Sequence, residues 1–391
     1  MAELTTLDDA ILLVLARVTP LEAERVPLAR AAGRVLAETT SAAVDLPPFP
    51  SSAMDGFAVR SVDTPGTLRV AGRVAAGRPA ERALEAGEAM AIATGGVVPE
   101  EADAVVPIEN AVDRDNEVEV PQANPGAHVR PRAGDVRAGA EVLGAGARLG
   151  SAQLGALAAA GVASVVCARR PVAAVLATGT ELRAPGEALA PGEIYEANGT
   201  LLAAALESAG CEVVRIAPVA DDESAHRNAI ARALGEDVVV TSGGVSVGPH
   251  DLVRRVAAEL GVEEVFWRVA VKPGKPVSFG VCGRTLLFGL PGNPVSTLVG
   301  FELFVRPAIR ALQGESFPGP RWQEAKLAEG VARDARDQLV RSRLVDGTLE
   351  PLAGQESHMI VRAAAADALT FIPAGEGEVG AGSTVRYLPL S

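Results

Sequence analysis

Hydrophobic residues near the N-terminus recur at the spacing of an amphipathic helix. Leu7, Ala10 and Ile11 follow this spacing, and Thr6 stands where it can cap the first turn. A second apolar stretch predicts another helix over 28–36. Neither stretch carries side chains that suggest chemistry, so we expect a packing or dimerisation arm.

Between 57 and 135, short apolar runs alternate with Gly, Pro and Asn, which predicts a small all-β domain. Its expected strands cover 67–74, 88–94, 103–108, 117–120 and 127–130. Just before them, Met54-Asp55-Gly56 predicts a tight loop with Asp55 near its tip. Thr94 stands at the edge of another glycine turn, and taken alone both Asp55 and Thr94 are typical turn residues.

From 171 to about 313 the pattern alternates between strand and helix. Such alternation predicts a mainly parallel, doubly wound sheet with helices on both faces. The expected strands are 172–178, 212–219, 238–241, 265–271 and 285–290. Asn198 is expected to cap a helix that ends at 209, and Pro307 is expected to kink the long helix that follows 294.

The last part of the chain returns to a β pattern. Two runs flank Asp346-Gly347, a strong hairpin signal, so a small C-terminal barrel or sandwich is expected. A helical stretch at 148–162 can rejoin the N-terminal helices in a discontinuous domain. The expected domains are 1–44 with 136–170 (helical and extended, dimerising), 45–135 (β, with the Met-Asp-Gly loop), 171–315 (α/β) and 316–391 (β-barrel).

Charge and cysteine content narrow the class of protein. The chain has 36 basic and 49 acidic residues, a net charge of −13, which argues against general nucleic-acid binding. Cys167, Cys211 and Cys282 lack metal-ligand spacing, so buried free thiols and a reducing cytoplasm are expected. No apolar segment reaches 18 residues and no signal peptide is recognisable, so we expect no membrane span.

The segment Ser242-Gly243-Gly244 follows the predicted strand 238–241 and precedes a predicted helix. A strand, a glycine turn and a helix N-terminus together present backbone N–H groups to an anion. Asp251 would stand beside that anion and could hold Mg²⁺ against phosphate oxygens. A plain turn with Asp251 as a helix cap explains the pattern equally well. The loop matches neither the Walker pattern nor G-x-G-x-x-G.

Lysine is rare and clustered. Only Lys272, Lys275 and Lys326 are lysines among the 36 basic residues, and the first two share one proline-rich turn. A lysine is a compact point charge suited to an oxyanion, although two solvated turn residues are the alternative.

Several polar loops follow predicted strands. In an open α/β sheet the carboxyl ends of the strands form the edge where ligands bind. Taken alone, Glu181 is explained as surface charge, and Asp221, Asp222 and Asn293 are explained as helix caps. Their coincidence favours a metal-assisted phosphate site. The residues concerned are Glu181, Asp221, Asp222, the Ser-Gly-Gly loop and Pro291-Gly292-Asn293.

Six motifs in one order make the chain resemble the molybdopterin molybdenumtransferase family (MoeA, and the E-domain of gephyrin-type proteins). Each is weak alone, and the ordered set is specific because it spans nearly the whole chain. The motifs are Ser52-Ala53-Met54-Asp55-Gly56-Phe57-Ala58, Ala93-Thr94-Gly95, Ala177-Thr178-Gly179-Thr180-Glu181-Leu182, Thr241-Ser242-Gly243-Gly244-Val245-Ser246-Val247-Gly248, Lys272-Pro273-Gly274-Lys275-Pro276 and Gly289-Leu290-Pro291-Gly292-Asn293-Pro294-Val295-Ser296.

The resemblance implies Mg²⁺-dependent insertion of molybdate into adenylylated molybdopterin with release of AMP, the last step of molybdenum cofactor synthesis. It implies an elongated homodimer of four-domain subunits, whose α/β domain is of the molybdopterin-binding type. Each site would lie between the α/β domain of one subunit and the Met-Asp-Gly domain of the other. Molybdopterin adenylyltransferase and molybdenum-enzyme chaperones are the further partners it suggests.

The resemblance also assigns roles to residues, several of them to more than one group. Arg268 stands where some family members have lysine. Implied for catalysis are Asp55 and Thr94 from the partner chain, with Glu181, Asp221, Asp251, Lys272 and Lys275, and the metal residues are Glu181, Asp221 and Asp251. Implied for binding pterin, phosphate or molybdate are Ser242, Gly243, Gly244, Ser246, Arg268, Pro291, Gly292, Asn293, Ser296, Arg336 and Ser357.

Two alternatives to this function stay open. Related single α/β domains adenylylate molybdopterin or act on other nucleotide pyrophosphates, but they lack the extra β-domains expected here. The other alternative is a scaffold that keeps the fold without turnover. The presence of Asp55, Glu181, Asp251 and both clustered lysines argues against the scaffold.

Overall fold

The computed structural model describes residues 4–219, 222–244 and 252–390. Its α-helices are Leu7–Leu15, Ser151–Ala159, Asn198–Ser208, Glu223–Ala233, Leu252–Glu259, Pro294–Gly300, Arg306–Leu312 and Ile360–Ala363. A π-helical turn, Phe301–Val305, joins two of them, and short 3₁₀ turns are Leu28–Arg30, Ser61–Asp63 and Ile108–Asn110.

The central sheet has six strands in a mixed arrangement. The four strands on one side are parallel neighbours, and each of the last two pairs antiparallel with the strand before it, so the sheet is less uniformly parallel than expected. In spatial order the strands are Glu212–Val219, Val172–Thr178, Val238–Ser242, Thr285–Leu290, Ser278–Cys282 and Glu263–Trp267. Because the parallel strands share one direction, Thr178, Val219, Ser242 and Leu290 end at the same edge.

Helices cover both faces of this sheet, as the alternating pattern predicts. Ala229, Ile230 and Val256 pack on one face, and Leu202 and Leu206 pack on the other. The N-terminal helix Leu7–Leu15 is confirmed, and its buried residues join the core on the second face. Thr6 caps it, because the Thr6 hydroxyl accepts the N–H of Asp9 at 3.1 Å.

The predicted helix over 28–36 is wrong. The strand Ala23–Pro27 precedes this range and pairs antiparallel with Ser164–Ala168, and within 28–36 the helical part is the single 3₁₀ turn Leu28–Arg30. Val35 and Leu36 form isolated bridges to Arg148 and Cys167. The apolar residues of 28–36 therefore face a small core of their own, and tertiary pairing overrides the local helical pattern.

The small β-domain is a six-stranded sheet with a buried cluster on each face. Its strands, in spatial order, are Ala104–Pro107, Gly56–Val59, Glu88–Ile92, Gly66–Val74, Glu117–Val120 and Val112–Asp113. Short pairs elsewhere in the N-terminal half are Thr40–Ser41 with Glu141–Leu143 and Ser51–Ser52 with Val129–Arg130.

Five C-terminal strands close into a barrel. In spatial order the first strand is Asp337–Val345 and the last is Ala368–Ile372, and these two pair with each other. The Asp346-Gly347 hairpin is confirmed, with Val345 opposite Thr348. A sixth strand, Val271–Lys272, comes from the α/β domain and pairs with the barrel at Asp337 and Gln338. The remaining barrel strands are Gln323–Leu327, Thr348–Pro351 and Thr384–Pro389. Two short strand pairs lie outside the barrel: Val331–Ala332 pairs with Glu378–Val379, and Leu182–Arg183 pairs with Ile194–Tyr195.

Two further expectations need correction. The predicted strand 265–271 is broken at Arg268, whose φ is +71°, so it becomes two separate strands. The long helix after Pro294 does not simply bend at Pro307, because a π turn precedes that proline.

Of the three free thiols, Cys167 and Cys211 are buried and Cys282 is half-buried. In the part of the chain that the structure describes, no helix has the length and apolar character to cross a membrane.

Candidate functional site

One wall of the candidate site is built from glycine backbone at the carboxyl edge of the sheet. Gly243 and Gly244 have φ of +91° and +67°, a region that favours glycine. A Cβ on Gly243 would lie 2.7 Å from the carbonyl oxygen of Thr178. Gly292 faces this turn, since a Cβ there would come 3.8 Å from the Gly243 Cα. The two glycine loops therefore lie side by side, and a side chain at Gly243 has no room.

Asn198 ties the two loops together. Its Nδ2 donates to the Ser242 hydroxyl at 2.8 Å and to the Gly292 carbonyl at 2.7 Å. The Ser242 hydroxyl in turn donates to the Pro291 carbonyl at 3.2 Å. The predicted cap role of Asn198 is wrong: Ala197 is the N-cap, and Asn198 is the first residue of the helix and positions both loops. Its Oδ1 is buried and has no hydrogen-bond partner among the described residues.

The second wall is cationic. A cavity of about 330 Å³ lies between the Lys-Pro-Gly-Lys-Pro turn, the Pro-Gly-Asn loop and the C-terminal barrel. Lys275 is exposed and forms no ion pair within the described chain. Asn293 and Ser296 line the opposite side. The residues around the cavity are Lys272, Pro273, Gly274, Lys275, Pro276, Pro291, Asn293, Ser296, Arg336, Gln355, Glu356 and Ser357.

Asp334 from the C-terminal part holds Lys272, the other lysine of this turn. The Lys272 Nζ lies 2.8 Å from Asp334 Oδ2, and the hydrogen bond from Lys272 keeps the pKa of Asp334 below its ordinary value of 3.8. Arg336 donates to the Val271 carbonyl at 3.1 Å. Two domains therefore fix the direction of Lys272 and Arg336, whereas Lys275 has no ion pair with any residue that the structure describes.

Ser357 reaches the site on a loop anchored by a buried arginine. The Asn293 Nδ2 donates to the Ser357 hydroxyl at 2.8 Å, and the Ser357 carbonyl accepts the N–H of Val295 at 3.0 Å. Arg341, 1 % exposed, donates to the carbonyls of Gly354, Glu356 and Met359 at 2.7, 3.2 and 3.0 Å. Burial lowers the pKa of Arg341 from its ordinary value.

The structure describes one of the three expected metal carboxylates. Glu181 is exposed at the crevice edge, and its carboxylate folds back over Gly179, where a Cβ would come 2.6 Å from Oε2. Asp221, Asp251 and the ligand-binding candidate Ser246 lie outside the described residues. Asp222 is the helix cap, since its side chain accepts the N–H of Ala225 at 2.8 Å. The described ranges contain no cluster of three or more potential metal-ligating side chains.

Asp55 and Thr94 lie together in the small β-domain. The Thr94 N–H donates to Asp55 Oδ1 at 2.7 Å, so the Met-Asp-Gly loop closes on the second glycine turn. Gly56 is required beside them, because a Cβ there would collide with the Val106 carbonyl oxygen. Within the described chain no hydrogen bond or ion pair joins either side chain to the α/β domain.

Arg268 does not line the cavity formed by the described residues. Its guanidinium lies 3.8 Å from the centroid of the Trp267 ring, and Arg254 lies at the same distance. Two guanidinium groups so close to one ring occupy its opposite faces. Arg268 therefore packs against an aromatic ring in this structure, and the described chain does not bring it together with the crevice lysines.

The site also contains groups that sequence reasoning missed. Asn198 and Asp334 give no signal in the sequence, because their partners lie far along the chain. Arg341 does give one: it shares a strand face with Leu339, and an arginine at an inward position of a β pattern suggests a buried anchor.

A crevice of glycine loops and cations at the carboxyl edge of an α/β sheet, flanked by β-domains, places the chain among multidomain α/β plus β proteins. Three family models match the chain: the MoeA N-terminal region (domain I and II) over residues 5–161, a probable molybdopterin binding domain over 174–311, and the MoeA C-terminal region (domain IV) over 324–390.

Full-length relatives support the same assignment. The chain is 37% identical to molybdopterin molybdenumtransferase 2 of Mycobacterium tuberculosis, over 94% of this chain and 95% of the relative. It is 35% identical to the molybdopterin molybdenumtransferase of Haemophilus influenzae, over 95% of each. The crystal structure of the molybdopterin biosynthesis moeA protein from Pyrococcus horikoshii OT3 superposes with a TM-score of 0.86 at 27% identity, over 99% of this chain and 100% of that one. The chain belongs to the MoeA family, whose curated members are named as transferases of molybdenum cofactor biosynthesis.

Proposed function

We propose that this chain transfers molybdenum from molybdate into adenylylated molybdopterin and releases AMP, with the help of Mg²⁺. The observation that carries the proposal is the pairing of two walls at one sheet edge. The Pro291-Gly292-Asn293 loop, which lies against the Ser-Gly-Gly turn, borders a cavity that also contains Lys272, Lys275 and Arg336. The substrates in this reaction are both anions, and an acidic protein has to supply cationic groups locally to hold them together.

Lys275 is suited to bind the incoming oxyanion. It is the crevice lysine without an ion pair among the described residues, and its charge is not shared with a carboxylate. Arg336 and the hydroxyl of Ser357 line the same cavity and can donate hydrogen bonds to the oxyanion. Lys272, held by Asp334, adds positive potential from a fixed position.

The glycine loops are suited to the pyrophosphate of the adenylylated substrate. Positive φ at Gly243 and Gly244 and the close approach of Gly292 leave bare backbone at the strand ends. A phosphate can approach such backbone closely. Asn198 keeps the two loops at a fixed separation, so the phosphates would meet a preformed surface.

Three carboxylates would hold Mg²⁺: Glu181 together with Asp221 and Asp251, of which only Glu181 is among the described residues. Oxygen donors of this kind are the ligands that Mg²⁺ prefers, so the donor set fits the ion. When bound, Mg²⁺ would neutralise charge that develops on the departing phosphate. Glu181 is exposed at the crevice edge, and no cation of the described chain occupies its carboxylate.

Asp55 and Thr94 are proposed to enter the site of a second copy in a cytoplasmic homodimer. The support for this is that they form an exposed pair whose hydrogen bond stays within their own domain. Asp55 would then add a carboxylate from the opposite subunit.

The test is AMP release from adenylylated molybdopterin, measured with and without molybdate in the presence of Mg²⁺. We expect molybdate-dependent release by the wild type, a large loss in Asp251→Ala and Lys275→Gln, and no loss in Lys326→Gln. Lys326 is an exposed lysine in the barrel and serves as the matched control. Release that ignores molybdate would indicate a nucleotide hydrolase, and binding without release would indicate a scaffold.

A further inference from the structure

A second cationic cavity lies far from the crevice. It has a volume of about 250 Å³ and lies between the helix of Arg306 and Arg310 and the start of the barrel, where Arg321 and Gln323 form its other side. We call it the arginine pocket. The pocket residues on this helix, Glu302 to Arg310, lie 8 to 16 residues beyond Pro294, so at 1.5 Å per residue the pocket is roughly 12 to 24 Å from the crevice along the helix.

The ion pairs around the arginine pocket contain more positive than negative side chains among the described residues. Glu302 is paired with Arg306, at 2.6 and 2.8 Å. Glu315 lies 2.7 Å from both Arg148 and Arg321 and 3.6 Å from Arg310. Four guanidinium groups thus share two carboxylates in this network, which leaves an excess of positive charge among the described residues.

Much of this excess charge is removed from water. The side chains of Arg306 and Arg310 are 14% and 15% exposed. Burial lowers the pKa of Arg310 to about 10, and the positive charge of Arg321 acts in the same direction. A desolvated cation next to like charge is unfavourable unless an anion accompanies it. Arg321, in contrast, is 56% exposed, so the pocket has an open side.

The wall of the pocket also contains an unusual backbone feature. Glu302 belongs to the π-helical turn Phe301–Val305. Such turns are rare, occur mostly inside α-helices and are frequent at functional sites. The turn directly precedes the helix Arg306–Leu312, whose Arg306 and Arg310 line the pocket.

We propose that the arginine pocket binds a small oxyanion, a phosphate or carboxylate group, at the junction of the α/β domain and the C-terminal barrel. Guanidinium groups present paired N–H donors that match the oxygens of either group. Because the arginines come from the α/β helix and from the segment that leads into the barrel, the bound anion would hold the two domains together. This site is independent of the proposed transferase reaction.

The test uses a protein whose crevice cannot retain the anion. In the background Lys272→Gln with Lys275→Gln, binding of inorganic phosphate and of succinate is measured by calorimetry and by thermal shift against chloride at equal ionic strength. We expect saturable binding of at least one anion. Tighter binding of phosphate would indicate that the pocket takes a phosphate group, and tighter binding of succinate that it takes a carboxylate group. Loss of one charged donor in Arg321→Gln should weaken binding by about tenfold or more.

Two further variants keep the result decisive. Gln323→Glu preserves the oxygen that accepts the Tyr387 hydroxyl hydrogen at 2.6 Å and adds a negative charge to the pocket, so it should also weaken binding if Arg321→Gln does not fold. Arg114→Gln is the matched control: Arg114 is 65% exposed and has one carboxylate partner in the small β-domain. Absence of saturable binding in the background protein, or equal binding in the pocket variants and Arg114→Gln, would overturn the proposal.

Discussion

The two walls of the crevice are built on different physical principles. The glycine wall consists of backbone, is fixed by steric fit and contains uncharged hydrogen bonds such as those of Asn198. The cationic wall consists of long side chains, and two domains share it through the Lys272–Asp334 ion pair. Steric fit fails abruptly when an atom is added, whereas electrostatic attraction weakens gradually with each charge removed and with added salt.

We expect the largest effect from Gly243→Ala. A Cβ at Gly243 would lie 2.7 Å from the Thr178 carbonyl oxygen at a φ of +91°, so the turn has to move. Unfolding free energy should fall by about 3 kcal/mol or more, and AMP release by about 100-fold or more. Urea unfolding and single-turnover assays measure the two.

The control for this change is Gly155→Ala, which lies in the helix Ser151–Ala159 and meets no atom within 4 Å. It should be neutral or stabilise the protein by up to about 1 kcal/mol. A similar loss in both variants would mean that the protein tolerates glycine substitution poorly in general, and that the effect is not specific to the crevice turn.

A substantial but smaller effect is expected from Arg341→Met on the cationic side. The carbonyls of Gly354, Glu356 and Met359 would lose their donor, at about 2–4 kcal/mol in unfolding free energy. Hydrogen exchange in 354–359 should accelerate, because this loop loses its anchor. Arg343→Met, an exposed position on the same strand, should change stability by less than about 0.5 kcal/mol.

Lys275→Gln should leave stability unchanged and weaken molybdate binding by about tenfold, since one charge-assisted contact is lost. Added salt should reduce the difference between wild type and variant. Equilibrium binding of molybdate at two ionic strengths measures this, with Lys326→Gln as the lysine control. If the two lysine variants bind molybdate equally well, Lys275 is not part of the oxyanion site.

The smallest effect concerns pH. Since Lys272 holds the pKa of Asp334 below 3.8 in the folded state, the pair stabilises the fold above that value. Its contribution is lost as the pH falls from about 4 through the lowered pKa. Asp334→Asn should therefore differ from wild type by at most about 1 kcal/mol at neutral pH, and the difference should shrink in acid. A difference that grows on acidification would contradict the assigned direction.

Local patterns predicted the parts of the fold that short-range physics decides. The strand Val172–Thr178 and the Asp346-Gly347 hairpin follow directly from apolar runs and turn residues. The glycine turn at 243–244 was also predictable, because two glycines after a buried strand indicate positive φ. The helix expected over 28–36 failed because those residues pair with segments more than 100 positions away.

The missing parts of the site share the same cause. Asn198 and Asp334 act through contacts that no local spacing encodes, such as the pairing of Lys272 with Asp334. The metal-site prediction stays open for another reason, since Asp221 and Asp251 lie outside the described residues. Ser357 was expected at the ligand only by resemblance, and its position depends on the buried Arg341.

The strand Val271–Lys272 determines whether the C-terminal barrel can be removed or exchanged independently of the α/β domain. It leads out of the α/β domain, pairs with Asp337–Gln338 of the barrel and continues directly into the lysine turn. Deleting or exchanging the barrel would therefore remove a sheet neighbour from the very segment that carries Lys272 and Lys275. A chimera that contains this α/β domain would therefore also need the barrel of the same protein, so the two domains have to be transferred together.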